Sequence, residues 1–305
     1  MTASRDITVT VVIPTFNYAA VLPYSIASAL GQSHPPLEVL VVGDGCTDNS
    51  AEVVAGLGDD RVRFINLEQR VGSQSGPNNE GIRQAAGLVV AYLGHDDLWF
   101  PGHLHHIADA VADGADFVYD RALFVNADGT FHVWPRMTGV SGPAAGSLAH
   151  RRAASIDHDL WWGLPQDLTN PADSELYRAA KAKGLDLRAL PRLGQLKIAS
   201  SQRAGVYRDH PVHEQQYWTA RLQQPDLEAE LGLAALLDER DGQPITFAQH
   251  QPFVPTFKAA GRMLLRMFGE AVRRRMPTRR RLSNREIDRV RLAFVGAPTD
   301  RDDHS

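Results

Sequence analysis

Four short apolar runs constrain this chain most. Ile7 to Ile13, Leu37 to Val42, Val62 to Leu67 and Leu88 to Leu93 are rich in Val and Ile, and each ends near Pro, Gly, Asn or Asp. Unbroken runs of that length suit strands buried on both faces, as in a mostly parallel sheet. Helix-like segments separate them: Tyr18 to Leu30, with Leu22, Ile26, Ala29 and Leu30 on one face; Ser50 to Leu57, with Asp48 and Asn49 as candidate N-caps; and Asn78 to Ala86, closed by Gly87. The alternation predicts βαβ units, hence an α/β chain with a doubly wound, mostly parallel sheet and helices on both faces. Ligands of such sheets bind beyond the carboxyl ends of the strands.

Those ends read Pro14-Thr15-Phe16-Asn17, Gly43-Asp44-Gly45-Cys46-Thr47-Asp48, Arg70-Val71-Gly72-Ser73 and Gly94-His95-Asp96-Asp97. Small, hydroxyl, amide and carboxylate residues of this kind suit a polar ligand carrying a sugar or a phosphate. A Walker loop and a G-x-G-x-x-G after the first strand are both missing, which disfavours a nucleoside triphosphatase and a nicotinamide domain. Beyond about Asp116 short strands and Gly/Pro-rich turns follow (Asp116 to Asn126, Phe131 to Trp134, Gly139 to Gly146). A helix then opens at Pro171-Ala172-Asp173-Ser174-Glu175-Leu176 and is stopped by Gly184.

The 305 residues carry a net charge of −4, with 43% hydrophobic and 22% charged residues, a globular composition that argues against wholesale nucleic-acid binding. The lone Cys46 has no intrachain partner, so no oxidising compartment is needed. No run reaches the roughly 18 apolar residues of a membrane span, and the N-terminus lacks a signal-peptide apolar region. The expectation is a cytoplasmic protein, with peripheral contact on the inner face of a membrane left open.

Four blocks in order resemble the family 2 glycosyltransferases of the GT-A fold: Val11-Val12-Ile13-Pro14-Thr15-Phe16-Asn17; Glu38 through Gly43-Asp44-Gly45-Cys46-Thr47-Asp48-Asn49; Gly72 through Asn78-Asn79-Glu80-Gly81-Ile82; and Tyr92-Leu93-Gly94-His95-Asp96-Asp97-Leu98-Trp99. The resemblance is strong over about residues 7 to 110, weak over 147 to 210, and does not reach the C-terminal hundred. It implies a nucleoside-diphosphate sugar donor, a hydroxyl of a glycan, lipid-linked or small-molecule acceptor, and inversion at the anomeric carbon. Polysaccharide biosynthesis is the setting it suggests. The implied halves are 1–120 for the nucleotide sugar and 121–210 for acceptor and catalytic base, followed by 211–305 as a helical, basic extension.

Carried over by position, the resemblance implies donor contacts at Pro14, Thr15, Asn17, Asp44, Gly72, Asn78 and Asp97. Pro14 serves equally as a strand terminator and Gly72 as a plain turn residue. Asp48 reads as an Asx turn or helix cap. The family's Asp-x-Asp motif holds a divalent cation, Mn²⁺ or Mg²⁺, on the donor diphosphate. Here Gly94 stands at its first aspartate, leaving Asp96 as the implied ligand, with His95 either a nitrogen ligand or a linker residue. Gly43 and Pro77 are further departures. The implied base is Asp173, against an ordinary helix-cap role; Asp157 and Asp159 beside Trp161 and Trp162 are the alternatives. The pair His103 and His106 reads as a zinc pair or a solvated helix face, and His150-Arg151-Arg152 as an acceptor contact or an exposed basic turn.

Lys258 to Arg291 holds twelve basic and three acidic residues, a local charge of +9 that leaves −13 on the rest. Met263, Leu264, Met267, Phe268, Ala271 and Val272 give it an apolar stripe, suited to packing on this chain, to a homo-oligomer or to an anionic membrane surface. It lacks the interleaved aromatics of a nucleic-acid binder. The departures at Gly43, Pro77 and Gly94 also admit a GT-A fold that binds nucleotide sugars or serves as a scaffold without catalysis.

Overall fold

The computed structural model describes residues 4–127, 130–134, 142–198, 203, 205–224, 227–228, 231 and 245–246. The chain divides into two units, Met1–Thr246 and Phe247–Ser305. The basic segment 258–291 and the start of the 139–146 turn lie outside the described residues.

The first half forms β1 (Val9–Thr15), α1 (Leu22–Leu30), β2 (Glu38–Gly43), α2 (Ser50–Ala55), β3 (Val62–Asn66), α3 (Ser75–Gln84) and β4 (Val89–Tyr92). The strands pair in parallel in the order β3-β2-β1-β4. Side-chain alternation carries the two faces. Val9, Val11 and Ile13 of β1, with Val39 and Val41 of β2, bury against Leu22, Ile26, Leu104 and Ile107 on one face. Val12, Leu40, Val42 and Tyr92 bury with Ile82, Ala154, Leu176 and Ala180 on the other. Each fully buried Val, Leu or Ile stabilises by about 1.5–3 kcal/mol, so both faces must be covered.

Helix α3 starts three residues earlier than the sequence pattern predicts. Pro77 is its third residue, where a missing N–H costs nothing because the first four amides of a helix have no intrahelical partner.

The second half adds β5 (Leu98–Trp99), α4 (His103–Ala112), β6 (Phe117–Val125), β7 (Thr130–Trp134), β8 (Leu148–Arg151), α5 (Arg152–His158), α6 (Ala172–Ala182), β9 (Leu187–Ile198), α7 (Val206–Asp209), α8 (His213–Leu222) and β10 (Ile245–Thr246). It makes the sheet mixed: β8 joins β4 antiparallel, β6 follows on β8, and β7 and β10 extend the edge. Strand β9 runs parallel to β6, with an irregularity around Asp120, and carries β5 antiparallel. Thus β9 arrives from the second half directly beside the turn that follows β4. Among the described residues no helix is long and apolar enough to cross a membrane.

Candidate active site

The ends of β1 and β2 are cross-braced by side chains. Asn17 adopts φ 44°, a left-handed conformation that asparagine tolerates. Its Oδ1 accepts from the Thr47 N–H (2.8 Å), and its Nδ2 donates to Thr47 Oγ1 (3.2 Å). Asp48 accepts from the Ala19 N–H and from the Ser50 N–H and hydroxyl, which makes it the Asx-turn residue expected, while the cap position of α2 falls to Asn49. Asp44 is 4% exposed, and its two oxygens accept from the Val71 and Gly72 amides at 2.7 Å each. It therefore holds the loop after β3 against β2, while the Arg70 guanidinium lies 3.7 Å over the Phe16 ring. A Cβ at Gly43 would fall 2.5 Å from Asn66 Oδ1, so the side chain of Asn66 occupies the space of the family's other aspartate. Pro14 is buried in β1. Asn78 is wholly buried, and among the described residues both its amide atoms lack a hydrogen-bond partner.

Residues 94–97 form a turn, closed by the Asp97 N–H on the Gly94 carbonyl (3.1 Å). The alternation of a strand would point His95 away from Asp96; in the turn His95 instead folds back on β1, its Nδ1 3.0 Å from Thr15 Oγ1 and its ring edge-on to Tyr18 at 5.3 Å. Burial lowers the His95 pKa to about 4, which keeps the ring neutral at pH 7. Asp97 is 1% exposed and bound to β9 three times: Gln195 Nε2 (2.8 Å) and Lys197 Nζ (2.9 Å) reach Oδ2, and the Ile198 N–H reaches Oδ1 (2.9 Å). Asp96 is 7% exposed, and its backbone carbonyl accepts from Gln215 of α8 (3.1 Å). Burial raises both carboxyls above the ordinary aspartate range, while Lys197 pulls them down.

This arrangement does not fit the cation site of the family motif. Gly94 has no side chain and no room for one, since a Cβ there would sit 2.5 Å from Asp97 Oδ2 and 3.4 Å from Asp96 Oδ1. Asp97 is committed to β9. Among the described residues the cluster of three ligand atoms within 4.8 Å is elsewhere, on α4, made by His105, His106 and Asp109. His103 and His106 make neither a zinc pair nor a solvated face: His103 is buried, with its Nδ1 2.6 Å from Asp120 Oδ2 and its ring against Trp99, and His106 is half-buried.

Asp173 is the second residue of α6, whose cap position is Pro171, so it is not the helix cap. Its Oδ1 accepts from the Ser174 N–H (2.8 Å), and the Ala145 N–H also points to its carboxylate. Burial raises its pKa, and Lys197 acts against the rise. Glu175 instead binds Asn170 and Thr169 in the loop before the helix. Lys197 feels Asp97, Asp96 and Asp173 together; burial alone would lower its pKa, yet the three carboxylates carry it well above the usual value. The ammonium is bonded to the turn after β4 through Asp97 and feels the charge at the start of α6.

The alternatives separate. Asp157 and Asp159 are exposed at the end of α5. Trp162 is core, its backbone held by both amide atoms of Asn79 at 2.9 Å, whereas Trp161 is half-buried under Arg83. His150-Arg151-Arg152 is neither an acceptor contact nor an exposed turn. His150 is fully buried on the Tyr92 hydroxyl (2.7 Å), and the two arginines bind the backbone carbonyls of Ala115, Val111 and Ile82. An open cavity of about 410 Å³ lies beyond Val71, lined also by Leu67, Gln69, Asn79, Arg83 and Leu164, apart from these carboxylates.

Sequence reasoning missed Gln195, Lys197 and Gln215. The first two had a signal: polar residues two apart in Leu193-Gly194-Gln195-Leu196-Lys197-Ile198 share one face of an otherwise apolar strand. Residues after 205 also close over the site, since Tyr18 donates its hydroxyl to the Pro211 carbonyl (3.0 Å) and its ring packs near Tyr207 and His210.

A profile of the family described as Glycosyl transferase family 2 matches residues 10–165. A glycosyltransferase of Nostoc sp., alr2836, described as uncharacterized, is 38% identical over 131 residues, which is 37% of this chain and 40% of that protein. The succinoglycan biosynthesis protein ExoU of Rhizobium meliloti is 30% identical over 224 residues, covering 65% of this chain and 64% of ExoU. The chain therefore spans under two thirds of these relatives. Among solved structures, S. aureus TarS 1–349 in complex with UDP-GlcNAc aligns over 77% of this chain and 73% of that one, with a TM-score of 0.55 and 19% identity, a likeness of fold.

Proposed function

Because the chain belongs to glycosyl transferase family 2, we propose that it moves a sugar from a nucleoside-diphosphate donor to a hydroxyl of a glycan, lipid-linked or small-molecule acceptor, with inversion. The observation that carries this reading is the joining of the turn after β4 to β9, where Asp97 accepts from Gln195, Lys197 and the Ile198 N–H, with the charges of Asp96 and Asp173 both acting on Lys197. That turn stands where a doubly wound sheet takes its ligand. The UDP-GlcNAc held by TarS 1–349 supports a nucleotide-sugar donor, and the succinoglycan role in the name of ExoU supports polysaccharide synthesis.

In this reading Thr15, Asn17, Asp44 and Gly72 shape the nucleoside end. Asn17 and Asp44 act by fixing the loops, since their polar atoms already hold backbone amides. Pro14 and Asn78 support from beneath, and Asp97 positions the turn rather than touching the donor. Asp96, with His95 beside it, stands at the diphosphate. The acceptor hydroxyl gives its proton to the Asp173 carboxylate as its oxygen bonds to the anomeric carbon. The bond from that carbon to the diphosphate oxygen breaks, and the electron pair leaves with the nucleoside diphosphate. Burial suits Asp173 to this task, because a raised carboxyl is a stronger base when ionised.

Members of the family generally use a divalent cation, and the donor set at residues 94–97 does not match one. Gly94 and the committed Asp97 also favour a second reading, nucleotide-sugar binding without turnover. Replacing Asp173 with Asn tests both: donor turnover should fall by about 10²–10⁴ with donor affinity kept. Unchanged turnover removes Asp173 as the base. Tight donor binding with no turnover in the unmodified protein across a broad acceptor panel selects the second reading.

A further inference from the structure

The altered turn leaves the donor diphosphate short of positive charge, and β9 offers one. Lys197 is a strand residue whose side chain is 30% exposed although its neighbours Leu196 and Ile198 are buried. One N–H of its ammonium goes to Asp97 Oδ2; the other two make no further hydrogen bond among the described residues. Gln195, on the same face, shares that oxygen and seals the pair from below. The Ala145 N–H reaches Asp173, and Gly146 lies hard against Gln195, so residues 145–146 bridge the base to this pair. Asp97 is thus an anchor: it pairs with the ammonium at 2.9 Å while the lysine side chain stays 30% exposed.

Resting on the transferase reading above, we infer that Lys197 binds the donor diphosphate and takes over the charge that a cation held by two carboxylates would supply. The same carboxylate that blocks position 94 for a second aspartate also fixes the lysine, so the loss of one device and the presence of the other have one structural cause. An ammonium is a compact charge with rotatable donors, suited to diphosphate oxygens and to the leaving group as negative charge grows on it.

The test compares affinities for UDP, GDP, ADP and dTDP with those for the matching nucleosides, by calorimetry, in EDTA and again with Mn²⁺. The unmodified protein should bind one diphosphate more tightly than its nucleoside in EDTA. Replacing Lys197 with Met leaves Asp97 buried without its partner, so the double variant Asp97→Asn, Lys197→Met is made beside it, with folding checked by circular dichroism. In the double variant the advantage of diphosphate over nucleoside should drop about ten- to a hundredfold, the worth of a charged hydrogen bond, with nucleoside affinity unchanged. Lys197→Arg should retain most of it. An undiminished advantage in the double variant, or a preference in the unmodified protein that exists only with Mn²⁺, overturns the role of Lys197. Failure of all four nucleotides to bind the unmodified protein with or without Mn²⁺ overturns the donor reading itself, and this inference with it.

Discussion

Restoring a side chain at position 94 is the sharpest test of the turn after β4. In Gly94→Ala the new Cβ falls 2.5 Å from Asp97 Oδ2 and 3.2 Å from Asp97 Cγ, about 1 Å inside ordinary van der Waals contact for the oxygen. A carboxylate oxygen at the end of a side chain would usually swing aside. This one is held at 2.8 Å by Gln195 and 2.9 Å by Lys197, with its partner oxygen 2.9 Å from the Ile198 amide. A shift of about 1 Å takes the first two bonds past the roughly 3.2 Å limit of a good hydrogen bond. Loosening a buried, charge-assisted set of this kind costs about 2–4 kcal/mol, which lowers a urea midpoint by about 1 M. The control is the same substitution in an Asp97→Ala background, where the obstruction is gone and the cost should fall below about 0.5 kcal/mol. Equal costs in the two backgrounds, or a neutral Gly94→Ala, would refute the reasoning. Gly94→Asp, which restores the family motif on paper, should behave no better than alanine.

Two further outcomes follow from buried polar groups. His150 is fully buried and its pKa falls from 6.5 to about 4 on folding, chiefly through burial. A depressed folded value means stability is complete above pH 6.5 and is lost as pH falls toward 4, by about 2 kcal/mol at pH 5. His150→Gln should remove that much of the loss between pH 8 and pH 5 in denaturant titrations; the raised carboxyls of Asp96, Asp97 and Asp173 act in the opposite sense in both proteins and cancel in the comparison. A variant with the acid sensitivity of the parent would contradict the assignment. Asn79→Ala removes two 2.9 Å bonds to the Trp162 backbone and should cost about 2–3 kcal/mol, read as a lower thermal midpoint with Trp fluorescence shifted to the red; an unshifted midpoint would show that the segment after α5 is held some other way.

The strands of the first half were legible because burial on both faces leaves a mark that needs no context: Val9 to Ile13 and Val39 to Val42 are apolar at every position but Thr10. Their carboxyl ends marked the candidate site for the same reason, since the polar residues there interrupt those runs. The second half was less legible. Its strands range from two to twelve residues and mix parallel with antiparallel pairing, and β9 carries both buried residues and the partners of Asp97, so its pattern alone does not announce a role.

By itself the sequence determined a doubly wound scaffold, the loops where a polar ligand is expected, and the departures of one motif from its family. Only the tertiary structure decided what those departures mean. Whether Asp97 meets a ligand or a lysine depends on a strand a hundred residues away, and side chains so distant in the chain are brought to 2.9 Å by the pairing of β9 with β5 and β6. Charge, hydrogen bonding and excluded volume act over a few ångströms in space, and the spacing of residues along the chain carries almost none of that information.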